Sequence, residues 1–251
     1  VEIHNKDEAN SILDYLKSVP FVVSKIETKK GKQSALPPFT TSTLQQVANQ
    51  KLGFSVRRTM TVAQHLYEQG LITYMRTDSV NLSAEAIAAA RDIIQRNFGD
   101  KYVPEKPNYY KSKESAQEAH EAIRPTSVMY KPADIKQYLT NDQYQLYNLI
   151  WKRFVASQMV PAILETTTVE VEGESEKNNY LFRATSSKLI FKGFKVVYEE
   201  AKNEDESEQE EEAEFPLEEM AEGQKQELIK VDPSQHFTQP PPRFTDASMV
   251  K

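Results

Sequence analysis

Residues Leu71–Ser83 read LITYMRTDSVNLS. The run follows Gly70, a residue suited to ending a helix, and opens on Leu71, Ile72, Thr73 and Tyr74, an apolar and β-branched set that predicts a short strand. Residues two apart in a strand share a face, so Tyr74 and Arg76 project together while Thr73 and Met75 point the other way. A free phenol has a pKa near 10, so only roughly one in a thousand is ionised at neutral pH. A neighbouring cation favours the ionised form. Arg76 would supply that charge and would also grip a phosphate oxygen with its planar guanidinium. The pair points to covalent phosphate chemistry, with an ordinary strand-end tyrosine beside a surface charge as the plain alternative.

Upstream, Leu44, Val47, Ala48 and Leu52 form one helical stripe ending at Gly53, and Val56, Met60, Ala63, Leu66 and Tyr67 form another ending at Gly70. Two helices, a tight Gly53-Phe54-Ser55 turn and a following strand predict a helix-turn-helix or winged-helix-like (CAP-like) unit, although such a pair alone is also ordinary core packing. Downstream, Ser83 caps a helix with Ile87, Ala90, Ile94 and Phe98 inward. The loop from Lys101 to Lys113 interleaves Tyr102, Tyr109 and Tyr110 with Lys106, Lys111 and Lys113, residues that stack on bases and touch phosphates or simply cover a surface. His120 and Arg124 stand four apart and share a face if that stretch is helical. Thr140 caps a long helix whose Tyr144, Tyr147, Trp151, Phe154 and Val155 read as packing.

The two ends of the chain have a different texture. Asn5 caps a helix over Lys6–Ser18, a strand follows at Phe21–Glu27, and the basic KKGKQSALPP reads as a linker with a boundary near Ser34. After Pro161, strands are predicted at Glu165–Glu172, Tyr180–Ala184, Leu189–Tyr198 and Gln226–Val231. The expected fold class is therefore α+β, with a helical winged-helix-like domain over 36–160 inserted into a β-rich hinge or gate domain formed by 1–35 and 161–235, and the start of a further domain at 236–251.

The chain has 251 residues, 39% hydrophobic and 27% charged, with no cysteine, which excludes a disulfide framework or a cysteine metal site and fits a cytoplasmic setting. No run is long and apolar enough for a membrane span. A net charge of -6 is unusual for a nucleic-acid binder. However, thirteen acids between Glu199 and Glu222 face a single Lys202, a net of -12, so the rest of the chain carries +6. That run reads as a solvated loop. Four scattered histidines suggest no zinc site, and His4, His65 and His236 read as structural.

Four stretches spread over the chain, PPFTTSTLQQ (Pro37–Gln46), LYEQGLITYMRTDSVNLS (Leu66–Ser83), SAQEAHEAIRPT (Ser115–Thr126) and HFTQPPPRFTDASMVK (His236–Lys251), together resemble the type IA DNA topoisomerases. Met75 after the tyrosine is similar to the bacterial topoisomerase I branch; a proline there marks the topoisomerase III branch. The resemblance implies that Tyr74 is a nucleophile attacking a phosphodiester of single-stranded DNA and staying on the 5′ phosphate. It implies that Arg76 holds that phosphate, and that His120, Arg124 and Thr73 bind the strand. It also implies relaxation of negatively supercoiled DNA without ATP, in keeping with the lack of a GxxxxGK run.

The family's magnesium ion (Mg2+) is held by an acidic domain with no counterpart in residues 1–251. The expectation is thus a monomeric central fragment, beginning without Met and ending inside TDASMVK, that works with acidic and C-terminal domains of the same polypeptide and does not relax DNA alone. A non-catalytic winged-helix module that binds duplex DNA is the chief rival reading. A purely mechanical gate segment is the third.

Overall fold

The computed structural model describes residues 3–111, 120–174, 179–199, 217–241 and 243–249. These mix helix and sheet and divide into two compact units. One takes the chain up to Gly31, Leu164–Ile190 and a segment running to Pro241; the other takes Lys32–Ile163, the turn that starts at Phe191 and the short segment after Pro241.

In the second unit the four long helices each start where a side chain can satisfy orphan amides. Thr40 caps α2 (Thr41–Leu52) in a reciprocal box with Thr43, Ser55 caps α3 (Val56–Glu68), Ser83 caps α4 (Ala84–Phe98), and Thr140 caps α6 (Asn141–Ser157) in a box with Gln143. A one-turn helix, α5 (Pro132–Ile135), precedes α6. Gly53 ends α2 at φ 65°, a left-handed position that costs a glycine nothing and most residues strain.

The core of this unit is built on α6, whose Leu146, Tyr147, Ile150, Phe154 and Val155 are at most 1% exposed and meet Leu44 and Ala48 of α2, Ala63 and Leu66 of α3, and Ile93 and Ile94 of α4. The aromatic stripe of α6 is packing, as its spacing suggests. The expected stripe of α3 is rotated, however: Thr59, Val62, Ala63 and Leu66 face inward, and Tyr67 is 42% exposed. Tyr67 follows Leu66 directly and so lies about 100° round the helix from it.

The first unit contains α1 (Lys6–Leu16) and a four-stranded sheet in the order β3-β2-β1-β4, with β1 Phe21–Gln33, β2 Ala162–Glu174, β3 Asn179–Phe191 and β4 Lys225–Gln226; the last residues of β1 and the first of β2 pass into the other unit. Asn5 caps α1 as its sequence predicts. Across β2 and β3, Thr166 faces Ser187, Thr168 faces Thr185 and Glu170 faces Arg183, one number rising by two as the other falls by two, which is an antiparallel register. The core is small, Val23, Val169 and Leu217 with Ile26, Val171 and Ala184 against it. Gly173 leaves room for the Phe21 ring, which a Cβ there would meet at 2.8 Å.

Several strand boundaries differ from the sequence reading. The basic stretch Lys29–Gln33 is not a linker but the end of β1, where only exposed side chains are needed. The strands expected at Tyr180–Ala184 and from Leu189 are one, β3, and it stops at Phe191 because Gly193 turns the chain at φ 49° into the short helical turn Gly193–Val196. The last strand is only Lys225–Gln226, paired with Phe21 and Val22. Most of the acidic run, and the part of SAQEAHEAIRPT before His120, lie outside the described residues. A final turn of helix, α7 (Asp246–Met249), follows the proline run.

Candidate active site

Tyr74 stands on an extended segment held between two others. On one side Thr41 N donates to Thr77 O at 2.9 Å, and Ile123 N, donating to Phe39 O at 2.8 Å, ties the two flanking segments to each other. On the other, Thr73 N donates to Arg124 O at 2.9 Å, Thr126 N to Leu71 O at 3.0 Å and Ala122 N to Asn81 O at 2.9 Å. The strand expected at Leu71–Tyr74 is absent: the pairing is two isolated bridges, Phe39↔Ile123 and Ile72↔Pro125. Pro125 occupies a bridge position that needs no N–H, and beyond it side chains replace the ladder. The Thr73 hydroxyl donates to Ala122 O at 2.7 Å and accepts from Arg124 N at 3.0 Å.

Though it is not a sheet strand, the segment alternates. Met75, Thr77 and Ser79 are buried, and Tyr74, Arg76 and Asp78 are exposed. Tyr74 and Arg76 therefore share the outward face, as a period of two requires. Tyr74 is 50% exposed. Its ring meets that of Tyr67, with centroids 5.3 Å apart and planes inclined by 67°. Among the described residues Arg76 has no ion pair and no hydrogen bond, and no cation–π contact joins it to Tyr74. It presents a whole guanidinium fork to solvent.

The inward face is tied to the start of α2. The Thr41 hydroxyl lies 2.8 Å from Met75 O and 3.1 Å from Thr77 O, and accepts from Thr77 N at 2.8 Å. Thr77 and Ser79 continue the pattern by accepting from the amides of Ser79 and Asn81. Buried polar groups in such a chain are satisfied one by another and leave the segment little freedom.

His120 and Arg124 do not share a helical face, because 120–126 is extended and not helical. His120 is exposed. Arg124 is largely buried and bonds Glu121 at 2.7 Å and Pro125 O at 3.0 Å. Glu121 also accepts from Ser83 N at 2.7 Å. Burial raises the pKa of the Glu121 carboxyl, but the hydrogen bonds from Arg124 and Ser83 and the guanidinium charge outweigh that and hold it below the ordinary range. The Nε of Arg124 is buried and, among the described residues, has no hydrogen-bond partner.

Three residues of this arrangement escape sequence reasoning: Tyr67, Thr41 and Glu121. Only Glu121 carries a legible signal, an acid three residues before Arg124. For metal, the residues present do not fit: among the described residues no three of His, Asp or Glu come together as a metal-binding group, Asp78 is exposed, and Glu121 is engaged by Arg124 and Ser83. Among the same residues, no helix is long and apolar enough to cross a membrane.

A family model described as DNA topoisomerase matches residues 1–251. The chain is 48% identical over 240 residues to DNA topoisomerase 1 of Xylella fastidiosa, covering 91% of this chain and 29% of that protein. It is 48% identical over 258 residues to DNA topoisomerase 1 of Rickettsia felis, covering 99% and 32%. Among solved structures it resembles full-length topoisomerase I from Thermotoga maritima, with a TM-score of 0.77 and 36% identity over 100% of this chain and 40% of that one. The chain thus spans about a third of the length of the curated relatives it matches.

Proposed function

This chain belongs to the DNA topoisomerase family, and on that footing we propose that it carries the nucleophile of a type IA enzyme. Tyr74 attacks the phosphorus of a phosphodiester in single-stranded DNA. The phenol loses its proton, a bond forms between its oxygen and the 5′ phosphate, and the bond to the 3′ oxygen breaks, that oxygen leaving as a hydroxyl. The reverse step reseals the strand, so no ATP is needed, because the phosphotyrosine conserves the energy of the broken linkage. The observation that carries this reading is the alternation that puts Tyr74 and Arg76 outward on one face of a segment braced from beneath.

Arg76 holds the scissile phosphate by position and charge, the contribution that phosphoryl transfer draws on most. Thr73 spends its hydroxyl on Ala122 and Arg124, so its part is to position the neighbouring backbone. His120, exposed, and Arg124 contact the strand. Magnesium, where the enzyme needs it, is held by residues outside those described here, and no step above passes through it. The pair α2 and α3 supports a winged-helix-like description of this unit, inserted in a β-rich gate. The intact enzyme works in the bacterial cytoplasm as a monomer on negatively supercoiled DNA, and residues 1–251 alone do not relax it.

The test is Tyr74→Phe in the whole enzyme. The covalent protein–DNA adduct, read on a denaturing gel, is lost entirely, while affinity for a single-stranded oligonucleotide stays within about twofold, since one hydroxyl is removed from a stacking ring that remains. An adduct that persists in the Phe variant rules out Tyr74.

A further inference from the structure

The loop after α4 brings together three tyrosines that the sequence does not tell apart, and the structure gives each a different place. Tyr102 packs on Phe98 and Phe191, with centroids 6.0 and 5.1 Å away. Tyr110 is half-buried, its hydroxyl donating to Ala35 O at 3.1 Å and Ser157 O at 2.9 Å. Tyr109 is 78% exposed.

That exposure is not slack in the loop. Asn108 Nδ2 donates to Ser157 O and Met159 O, both at 2.9 Å, and Asn108 O accepts from Gln158 Nε2 at 3.1 Å. The backbone is therefore anchored to the end of α6 on both sides of Tyr109, and Pro107 narrows its freedom further. A backbone held in this way has already lost part of the entropy that binding would otherwise remove.

Beside the ring lies a notch of about 290 Å3, walled by Pro107, Tyr109, Met159 and Pro161 and edged by Ser34 and Asn108. Lys106 and Lys111, both exposed, flank the tyrosine in the chain, and among the described residues neither pairs with a carboxylate. An exposed aromatic ring with cations beside it suits one class of ligand better than others: a planar base whose neighbouring phosphates carry negative charge. An apolar peptide would leave the two ammoniums unmatched.

We propose that this notch is a second contact for single-stranded DNA, where one base stacks on Tyr109 and the adjoining phosphates lie against Lys106 and Lys111. The contact rests on the reading of single-stranded DNA as substrate and adds to it a fixed point away from the tyrosine that cuts. Stacking accepts every base, so it holds the strand without selecting a sequence.

The experiment uses the whole enzyme that contains this chain and a set of single-stranded oligonucleotides carrying 2-aminopurine at successive positions. The expected result is a fluorescence change confined to one position in the register, lost in Tyr109→Ala together with a roughly fivefold to hundredfold weaker Kd. Tyr109→Phe retains both. Lys106→Ala with Lys111→Ala keeps the fluorescence change, weakens binding and flattens its salt dependence. If the unaltered enzyme binds single strands and Tyr109→Ala binds them equally well with the same fluorescence, the notch is not a base site and the proposal falls alone. If the unaltered enzyme binds no single strand, it falls together with the substrate reading on which it rests.

Discussion

The rings of Tyr67 and Tyr74 meet edge to face, 5.3 Å between centroids, one from the exposed side of α3 and the other from the segment that follows it. Such a contact is worth about 0.5–1.5 kcal/mol beyond the area it buries, enough to narrow the positions of a half-exposed phenol without burying it. Removing the ring by Tyr67→Ala should reduce the rate of strand cleavage roughly two- to tenfold, with Tyr67→Phe close to the parent. The measurement is single-turnover adduct formation; equal rates for the Ala variant and the parent would remove Tyr67 from the site.

Arg76 offers a planar fork with no partner among the described residues. Lysine keeps the charge and loses the geometry. Arg76→Lys should lower cleavage by roughly ten- to a hundredfold while changing oligonucleotide affinity much less. A Lys variant that cleaves at the parental rate would reduce Arg76 to a source of charge.

Thr41 joins the start of α2 to the underside of the site through contacts with Met75 O and Thr77 N. Thr41→Val preserves shape and leaves the Thr77 amide without its acceptor, at a cost of about 1–3 kcal/mol. Urea unfolding should show that loss, and cleavage should fall with it even though Thr41 touches no substrate. Unchanged stability would mean that water replaces the hydroxyl.

The Glu121 carboxyl is held below its ordinary value of 4.5, which gives its contribution a direction in pH. A depressed carboxylate stabilises the fold above the unfolded-state pKa, and that share is lost as pH falls through the folded value. The stability advantage of the parent over Glu121→Gln should therefore be full at neutral pH and shrink from about pH 4.5 downward. Urea midpoints of both proteins across that window measure it. A gap that stays constant down to pH 3 would show that the Glu121–Arg124 pair does not titrate as described.

Much of the fold is legible in the chain, because local chemistry decides it. Asn5, Ser83 and Thr140 read as side chains that satisfy free amides, and each starts a helix in the structure, as Thr40 and Ser55 also do. The stripe on α6 buries as its period demands, and the outward pairing of Tyr74 with Arg76 follows from extended backbone, whether or not it joins a sheet. What failed was whatever depended on partners far away in sequence. Leu71–Tyr74 has a strand's composition but pairs with a segment interrupted by Pro125 and taken over by the Thr73 hydroxyl. The lysines after Glu27 look like a linker, yet an exposed strand end accepts them.

The sequence by itself determined where helices begin, which side chains fill the core of α6, and that a tyrosine and an arginine face outward together, since each depends on bonds and periodicities within a few residues. Only the tertiary structure decided that Tyr67 turns away from the core to meet Tyr74, that Thr41 braces the segment from below, and that Tyr109 stands out while Tyr110 turns in. Those outcomes rest on contacts between residues 7 to 75 positions apart, and no local pattern records which distant surface a side chain will find.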